Sequence, residues 1–486
     1  MELDRTRCYR ALKSHDARFD GRFFIGVKTT GIYCRPICPA RTPMLKNIVF
    51  YACAAAAEEA GFRPCLRCRP ETSPGTPAWN GTSATVSRAL RLIGEGLMDE
   101  HGVDELARRL GVGARHLRRL FDEHLGTSPV AVAQSQRVLF AKKLIDETSL
   151  PLTEVAFASG FSSLRRFNAA FQKAYRMPPR ALRRLNRNGT SINGRSALEL
   201  KLAYRPPYDW DGLLGFLAMR AIPGVESVEN GTYRRTFAVA GQSGVLEVTD
   251  AKDSRHVLLR VPMELSKTLP TLVERVRRVF DLRADPIEIN GHLAQDKRLG
   301  PLVKRRPGLR VPGAWDGFEI AVRAVLGQQV SVKGATTLCG RLVARYGEIL
   351  LDGASGPLTH IFPRPERLAR ARMNGLGITG RRIETIRLLA RSTLDDSLSL
   401  GTSPSLEEAV GSLVALPGVG PWTAQYIAMR AFGEPDAFPS GDLGLQKACA
   451  TAKGGKLSER KLLERAEAWR PWRAYAALHL WSSLDD

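Results

Sequence analysis

The sequence has 486 residues, 44% hydrophobic and 25% charged, a balance that predicts two or three globular domains with ordinary cores. Its 72 Lys and Arg residues outnumber 49 Asp and Glu, and the formal net charge of +23 favours a polyanionic partner, most commonly nucleic acid. No apolar run is long enough to span a membrane, and no apolar export signal follows the first residues, which argues against membrane-embedded and exported proteins. Composition alone also allows a ribosome-associated or membrane-surface protein, but we expect a cytoplasmic protein.

Four of the eight cysteines form two close pairs near the start of the chain. Cys34 and Cys38 make a C-x3-C pair, and Cys65 and Cys68 make a C-x2-C pair. This spacing predicts one tetrahedral Zn²⁺ site with four cysteine ligands. Closed four-thiolate sites are usually structural, yet their formal charge of −2 also keeps an accessible sulfur nucleophilic. The spacing alone leaves a structural and a reactive site open.

The segments around these cysteines are KTTGIYCRPICPAR and FRPCLRC. They resemble the N-terminal domain of the Ada adaptive-response family. The resemblance implies a small α+β zinc domain over residues 1–75, in which Cys34 accepts a methyl group irreversibly from a methylphosphotriester in DNA. It also implies that methylation converts an attached DNA-binding domain into a transcriptional activator.

A Pro- and Gly-rich stretch over residues 70–77 precedes an internal repeat. In VDELARRLGVGARHLRRLF and LTEVAFASGFSSLRRFNAAF, Ala107 lies four residues before Gly111, and Ala156 lies four before Gly160. The small residue lets two helices approach closely and the glycine permits a turn, so we predict tandem helix-turn-helix motifs over residues 82–187. The second helices, over about 114–123 and 163–175, are expected to present to DNA Arg115, His116, Arg118, Arg119, Ser162, Ser163, Arg165 and Arg166. The alternative is two helical hairpins with solvated basic faces.

This repeat, a linking helix over 134–146 and the ending AFQKAYRMPPRALR resemble the DNA-binding domain of the AraC family. The resemblance implies an all-α domain that places two recognition helices in successive major grooves. RNA polymerase is an expected partner if the activator role holds. The following segment, RLNRNGTSINGRS, is polar and predicts a linker.

The C-terminal block opens with strand-like segments, TFAVA and GVLEVTD, and continues with helices. In LPGVGPWTA, Gly418 and Gly420 predict a tight hairpin that exposes backbone N–H groups to a DNA phosphate at a helix N-terminus. An ordinary inter-helix turn would have the same pattern. Asp442 is a lone acid after a Pro/Gly turn, where it suits a catalytic carboxylate or a helix N-cap.

Four segments, RPPYDWDGLLGFLAMRAIPGVE, RAVLGQQVSVKGA, LPGVGPWTAQYIAMRAFG and PWRAYAALHLW, resemble AlkA-type 3-methyladenine-DNA glycosylases of the helix-hairpin-helix superfamily. The resemblance implies an antiparallel sheet subdomain over 197–310 and a helical catalytic domain over 311–486. It implies that Asp442 serves in excision of bases such as 3-methyladenine and 7-methylguanine, and that Trp422, Tyr426 and Trp481 line the base pocket. Without it, these three aromatics would be interpreted as core residues.

Several positions depart from the relatives. Gln329 stands where the AlkA family has a leucine that fills the gap left by the flipped base, so this wedge is polar here. Trp422 stands where strand-cleaving relatives have a lysine, which predicts a purely hydrolytic glycosylase. The P-C-H-R motif of O6-methylguanine repair is missing, and the remaining cysteines are expected in cores. They are Cys8, Cys53, Cys339 and Cys449.

The sequence therefore predicts a multidomain, mainly α protein that acts on double-stranded DNA and has no membrane partner. The predicted function joins base excision to a methyl-triggered control of alkylation-response genes. Two alternatives remain: a regulator with a catalytically silent glycosylase fold, and a glycosylase that uses the other two domains only for DNA delivery.

Overall fold

The computed structural model describes residues 4–75, 84–186, 197–252, 254–350, 356–401, 403, 405–450 and 456–484. The chain divides into two compact units. The first comprises Met1–Pro206, Ala251–Glu274 and Leu282–Asp285, and the second Pro207–Asp250, Arg275–Asp281 and Pro286–Asp486. The predicted linker RLNRNGTSINGRS spans residues 184–196: its first three residues form the end of a helix, and 187–196 lie outside the described residues. Thr76 and Pro77 of the Pro/Gly-rich stretch lie outside them as well. Among the described helices, none is long and apolar enough to cross a membrane.

The first unit begins with a small α+β region. The strand at Phe24–Val27 pairs antiparallel with the strands at Ile32–Cys34 and Ile48–Tyr51. The two-residue strand at Arg63–Pro64 pairs in parallel with Ile32–Cys34 and forms one edge of the sheet. Short apolar stretches such as FFIGV and IVFY supply the β-branched and aromatic residues that strands favour. The elements are α1 (Arg5–Lys13), β1 (Phe24–Val27), β2 (Ile32–Cys34), β3 (Ile48–Tyr51), α2 (Ala54–Glu59) and β4 (Arg63–Pro64).

A helical region follows in the same unit. Its helices are α3 (Ala84–Gly94), α4 (Leu97–Glu100), α5 (Val103–Arg109), α6 (Ala114–Leu125), α7 (Pro129–Glu147), α8 (Leu152–Ala158), α9 (Leu164–Tyr175) and α10 (Pro179–Asn186). The linking helix α7 is longer than the predicted 134–146, because Ser128 caps its N-terminus and Pro129 suits the first helical position.

The internal repeat forms two helix-turn-helix motifs, α5–α6 and α8–α9. Gly111 and Gly160 adopt φ of 66° and 80° in the turns, a conformation that favours glycine. A Cβ on Gly160 would also lie 2.4 Å from the Asp99 carboxylate. Ala107 and Ala156 are buried where the paired helices meet. The predicted role of each small residue is therefore confirmed.

The remainder of the chain contains β5 (Ala197–Ala203), α11 (Trp210–Ala218), β6 (Glu226–Glu229), β7 (Thr232–Val239), β8 (Gln242–Asp250), β9 (His256–Pro262), α12 (Leu269–Val279), α13 (Pro286–Leu293) and α14 (Leu299–Arg305). In the first unit, β5 pairs antiparallel with β9. In the second, β6, β7 and β8 form an antiparallel meander, which confirms strands at TFAVA and GVLEVTD.

The helical body of the second unit follows. Its elements are α15 (Gly317–Leu326), α16 (Val332–Tyr346), β10 (Glu348–Ile349), β11 (His360–Ile361), α17 (Pro365–Leu368), α18 (Gly380–Leu394), α19 (Leu406–Val414), α20 (Pro421–Ile427), α21 (Leu443–Ala448), α22 (Glu459–Ala466) and α23 (Arg473–Ser482). Helix α15 is apolar on most sides and lies in the core, where it contacts α16, α18 and α20. A π-helical turn, Ala428–Phe432, extends α20.

Candidate metal centre and active site

The four paired cysteines converge at one end of the small sheet. Cys34 ends β2, and the parallel pairing of β2 with β4 brings the Cys65 loop beside it, where the Cys65 N–H donates to the Tyr33 carbonyl at 3.0 Å. The four sulfurs lie within 4.8 Å of one another. Thiolates about 2.3 Å from a tetrahedral ion stand about 3.8 Å apart, so the cluster fits one zinc ion. The chain therefore has one zinc site with four cysteine ligands.

The four sulfurs are not equally accessible. Cys38, Cys65 and Cys68 are buried, whereas Cys34 is half-buried. The backbone N–H of Arg35 donates to Cys68 Sγ at 3.3 Å, and the buried Arg35 guanidinium binds the Cys68 carbonyl and the Asp20 carboxylate. A donated hydrogen bond lowers the electron density on a sulfur. Accessibility and hydrogen bonding thus both favour Cys34 over Cys68 as a nucleophile.

The residues predicted to contact DNA lie on α6 and at the start of α9. The five arginines and His116 are exposed. Ser162 is exposed as well and accepts from Arg166 at 3.4 Å, while Ser163 caps α9 by accepting from the Arg166 N–H. Ser163 therefore has a structural role at this position. Each second helix keeps its basic residues on the surface, while Leu117, Phe121, Phe167 and Phe171 fill the core side.

In the second unit, Asp442 stands at the N-terminus of α21 with its carboxylate held by three donors. Oδ1 accepts from the Leu445 N–H at 3.0 Å and from Trp481 Nε1 at 2.9 Å, while Oδ2 accepts from Trp422 Nε1 at 3.1 Å. Asp442 is thus a helix N-cap, as the structural interpretation predicts. The indoles of Trp422 and Trp481 also donate to its carboxylate and fix its orientation. A helix N-cap does not need these two hydrogen bonds.

The predicted pocket aromatics form a continuous group around this carboxylate. The Tyr426 ring stacks on Trp422 with centroids 5.5 Å apart and an interplanar angle of 8°. Trp481 lines a cavity of about 240 Å³. This cavity is lined in part by Phe216, Met219, Arg220, Pro312, Trp481 and Ser482. Of the three predicted pocket aromatics, Trp481 lines this cavity, whereas Trp422 and Tyr426 are not among its lining residues. Aromatic faces of this kind suit a flat, flipped-out base.

Several residues in this region escaped the sequence analysis. Arg220 lies 3.7 Å from the Phe216 ring centroid, and Arg430 lies 5.0 Å from the same centroid. Arg430 also donates to the Tyr426 hydroxyl at 2.7 Å. Both arginines follow their aromatic partners at an i, i+4 spacing, Phe216–Arg220 and Tyr426–Arg430. That spacing places side chains together on a helix and was an available signal.

The helix-hairpin-helix turn joins α19 to α20. Gly418 has φ of 92°, and a Cβ there would lie 1.9 Å from Thr385 Oγ1. Gly420 caps α20 with an ordinary φ of −91° and open space around it. The turn is braced by Gln328, whose amide donates to the Gly418 carbonyl at 2.9 Å. The first helical residue is Pro421, which has no N–H, so the backbone donors that the α20 N-terminus can offer begin at Trp422.

Gln329 lies in the turn between α15 and α16. It is exposed and has a left-handed φ of 53°, unusual for a residue other than glycine. Among the described residues, no hydrogen bond joins its side chain to the Asp442 group. Its neighbour Gln328 links this turn to the hairpin, since it also donates to Thr423 Oγ1 at 3.0 Å.

The non-ligand cysteines are all core residues. Cys8, Cys53, Cys339 and Cys449 are at most 6% exposed, which confirms their predicted place. Burial raises the pKa of the Cys8 thiol to about 11 and those of Cys53 and Cys339 to about 12. These thiols are therefore neutral at physiological pH, in contrast to zinc-bound sulfurs.

Four family models match the chain. They describe the metal binding domain of Ada (residues 7–71), a helix-turn-helix domain (106–185), the AlkA N-terminal domain (199–316) and an HhH-GPD superfamily base excision DNA repair protein (322–474). All the resemblances found in the sequence are thereby confirmed at the level of the family.

Curated relatives cover both the whole chain and its C-terminal part. The chain is 46% identical to a "Probable bifunctional transcriptional activator/DNA repair enzyme AlkA" of Mycobacterium tuberculosis, over 100% of this chain and 97% of the relative. It is 38% identical to "DNA-3-methyladenine glycosylase 2" of Escherichia coli, over 58% of this chain and 95% of the relative. A solved 3-methyladenine DNA-glycosylase from Archaeoglobus fulgidus shares the fold at 22% identity, with a TM-score of 0.51 over 58% of this chain and 97% of that one.

Proposed function

The chain belongs to the family of AlkA-type bifunctional transcriptional activator/DNA repair enzymes, and from this premise we propose that it excises alkylated bases from double-stranded DNA. The substrates are bases such as 3-methyladenine and 7-methylguanine. The observation that carries the proposal is the Asp442 carboxylate, held by the indoles of Trp422 and Trp481, the second of which lines a cavity of about 240 Å³. The reaction is hydrolysis of the N-glycosidic bond.

The arrangement suits this chemistry. Cleavage of the bond builds positive charge on the sugar, and a fixed carboxylate beside it stabilises the oxocarbenium-like state. A cationic 3-methyladenine leaves as a neutral base and stacks favourably on electron-rich rings such as Trp422 and Tyr426. The α20 N-terminus offers N–H groups to a DNA phosphate, which would position the backbone for flipping.

The test is release of 3-methyladenine from methylated duplex DNA by wild type and by Asp442→Asn. Asparagine is as good an N-cap as aspartate, so this variant keeps the fold of α21 while it removes the charge. We expect at least about a hundredfold slower release, with a melting temperature only slightly lowered because the asparagine NH2 cannot accept from one of the indoles. If wild type binds DNA tightly but releases no base, the alternative of a silent glycosylase fold in a regulator replaces the proposal.

We also propose that Cys34 accepts a methyl group from a DNA methylphosphotriester. A bound zinc ion keeps all four sulfurs deprotonated at neutral pH. Cys34 Sγ attacks the methyl carbon, the methyl–oxygen bond breaks, and its electron pair remains on the phosphate as a diester anion. The greater exposure of Cys34 among the four cysteines supports this choice. The thioether product has no exit step, so each molecule reacts once.

Methylation changes the charge of the zinc site and thereby couples repair to gene control. A neutral thioether makes the site less negative, which strengthens attraction to phosphates. We propose that the helix-turn-helix motifs then bind response promoters through α6 and α9, with RNA polymerase as the partner in activation. Promoter affinity should rise after methylation of wild type but not of Cys34→Ser. Equal affinity before and after would favour the DNA-delivery alternative.

A further inference from the structure

A small cavity in the second unit has a wall made largely of charged side chains. It lies where α11, β6, β7, α15 and the π-helical turn Ala428–Phe432 meet. Its volume of about 20 Å³ leaves room for one water-sized particle, since a water molecule needs about 10–15 Å³. The four arginines of the wall exceed its two glutamates by two positive charges. They are Arg220, Arg235, Arg323, Arg430, Glu226 and Glu319.

Both glutamates of this wall are bound by the same two arginines. Glu319 accepts from Arg235 at 2.8 Å and from Arg323 at 3.2 Å. Glu226 accepts from Arg323 at 3.0 Å and from Arg235 at 3.4 Å, and also from the Tyr233 hydroxyl at 2.7 Å. These two cations and two anions therefore balance one another. In the described part of the chain, neither carboxylate is hydrogen-bonded to Arg430.

Arg430 is a buried cation whose hydrogen-bond partners are uncharged. It is 5% exposed, and it donates through Nε to the Pro312 carbonyl and through Nη1 to the Tyr426 hydroxyl at 2.7 Å. Among the described residues, no acceptor is found for its Nη2.

The rings of Phe216 and Tyr426 lie 5.0 Å and 5.5 Å from the Arg430 guanidinium, but aromatic faces stabilise a cation less than a counter-charge does. A buried charge without a counter-ion weakens a fold. Arg430 therefore favours a negative partner from outside the chain.

We propose that this cavity binds one small monovalent anion of the size of chloride, with Arg430 as the residue that holds it. Chloride is only slightly larger than a water molecule, so it suits both the volume and the charge of the cavity. It would accept from the guanidinium of Arg430 and offset part of the positive excess of the wall. Sulfate and phosphate are too large for a cavity of about 20 Å³. The site is distinct from the base-excising chemistry proposed above and does not depend on it.

Electrostatics separate an anion from a water molecule as the occupant. Burial lowers the pKa of Arg430 below its ordinary value, and the positive charges of Arg220 and Arg323 add to this effect. An anion in contact with the guanidinium acts in the opposite direction, because opposite charges attract strongly where water is excluded. A water molecule would satisfy the hydrogen bond of Nη2 and leave the charge unbalanced.

The anion would be a structural ion of the folded second unit. Its wall combines residues that are far apart in the sequence, from Phe216 to Arg430, so the site exists only when the unit is folded. A ligand that binds only the folded state raises its stability by mass action. It would also hold Arg430 against the Tyr426 hydroxyl, and the ring of Tyr426 supports Trp422 by stacking.

The direct test is a crystal of the full chain grown with sodium bromide, because bromide replaces chloride and is located by its anomalous scattering. We expect a bromide peak in the cavity, within hydrogen-bonding distance of the Arg430 guanidinium. Crystals of Arg430→Met should have no peak at this place. A wild-type cavity that contains water and no bromide would overturn the proposal.

The matching measurement in solution is the melting temperature of the DNA-free full chain in sodium chloride and in sodium gluconate at equal ionic strength. Gluconate is too large to enter the cavity. At a chloride concentration about ten times the Kd, we expect wild type to melt about 3–5 °C higher in chloride. Arg430→Met should lose this difference. Arg367→Met removes the same charge from an exposed position and should keep it.

Each other outcome contradicts the proposal. Equal shifts in wild type and Arg430→Met would mean that chloride acts on the protein surface. A bromide peak without any shift in solution would mean binding at crystal concentration only. Should Arg430→Met fail to fold, the wild-type crystal and the comparison of chloride with gluconate still decide the question. Neither measurement involves DNA, so failure of the glycosylase function would leave the result unchanged.

Discussion

The zinc cluster and the Asp442 pocket are two ways to hold a reactive negative charge. In the zinc cluster, four cysteines can share one metal ion, and the most exposed of them, Cys34, is the one that we propose as the methyl acceptor. In the pocket, a single carboxylate is oriented by two indoles and a helix N-terminus. The proposed methyl transfer would make the zinc site less negative, which suits a signal. The Asp442 pocket keeps its charge and so suits turnover.

The largest expected effect concerns the identity of the methyl acceptor. Cys34→Ser should take up no methyl label from DNA carrying methylphosphotriesters, whereas wild type should take up about one per molecule. The reason is that the other three sulfurs are buried. Label is measured by mass spectrometry of the peptides, and Cys449→Ser, which alters a buried core cysteine, is the control. Label on Cys38, Cys65 or Cys68 would contradict the assignment.

The next prediction compares the loss of stability caused by alanine at the two hairpin glycines, Gly418 and Gly420. Gly418→Ala places a Cβ 1.9 Å from Thr385 Oγ1 at φ of 92°, so we expect a loss of about 2–4 kcal/mol in the free energy of unfolding. Gly420→Ala meets open space at an ordinary φ and should change it by less than about 1 kcal/mol. Denaturant unfolding of both variants gives the numbers. Equal losses would mean that the turn has a different conformation.

The two sites also differ in how far sequence could predict them. The zinc ligands lie within 35 residues of one another in two short motifs, so spacing sufficed to predict the site. The turn glycines of the repeat were predictable for the same local reason. The pocket combines residues from Phe216 to Trp481, and its arginines belong to no motif that predicts catalysis. What made Arg430 unusual is burial without a carboxylate partner, which only the tertiary structure reveals.

The buried carboxyl of Glu58, in the zinc-containing unit, is expected to make the stability of the fold depend on pH. Burial raises the pKa of Glu58 to about 7, although a hydrogen bond from the Tyr33 hydroxyl opposes the shift. The folded pKa exceeds the ordinary value of 4.5, so the stability that Glu58 contributes is present below pH 4.5 and is lost as the pH rises to about 7. The expected loss is about 3 kcal/mol.

The check is denaturant unfolding of wild type and Glu58→Gln between pH 5 and pH 8. Glutamine can still accept from the Tyr33 hydroxyl but does not ionise. As the pH rises, the free energy of unfolding of wild type should therefore fall relative to that of Glu58→Gln. Effects of the zinc thiolates are the same in both proteins and cancel in this difference. A difference that stays constant across this range would mean that Glu58 is ionised in the fold at pH 5 already.

The smallest expected effect tests whether the indoles orient the carboxylate. Trp481→Phe and Trp422→Phe each remove one donor from Asp442 and keep an aromatic ring in place. Loss of one hydrogen bond to a charged group costs about 1.5 kcal/mol, which corresponds to about tenfold slower base release. Since the two indoles bind different carboxylate oxygens, losing both should free the side chain to rotate. We therefore expect the double variant to be slower than the product of the single effects. Multiplicative losses would instead assign each tryptophan to base stacking, with the helix N-terminus alone sufficient to hold Asp442.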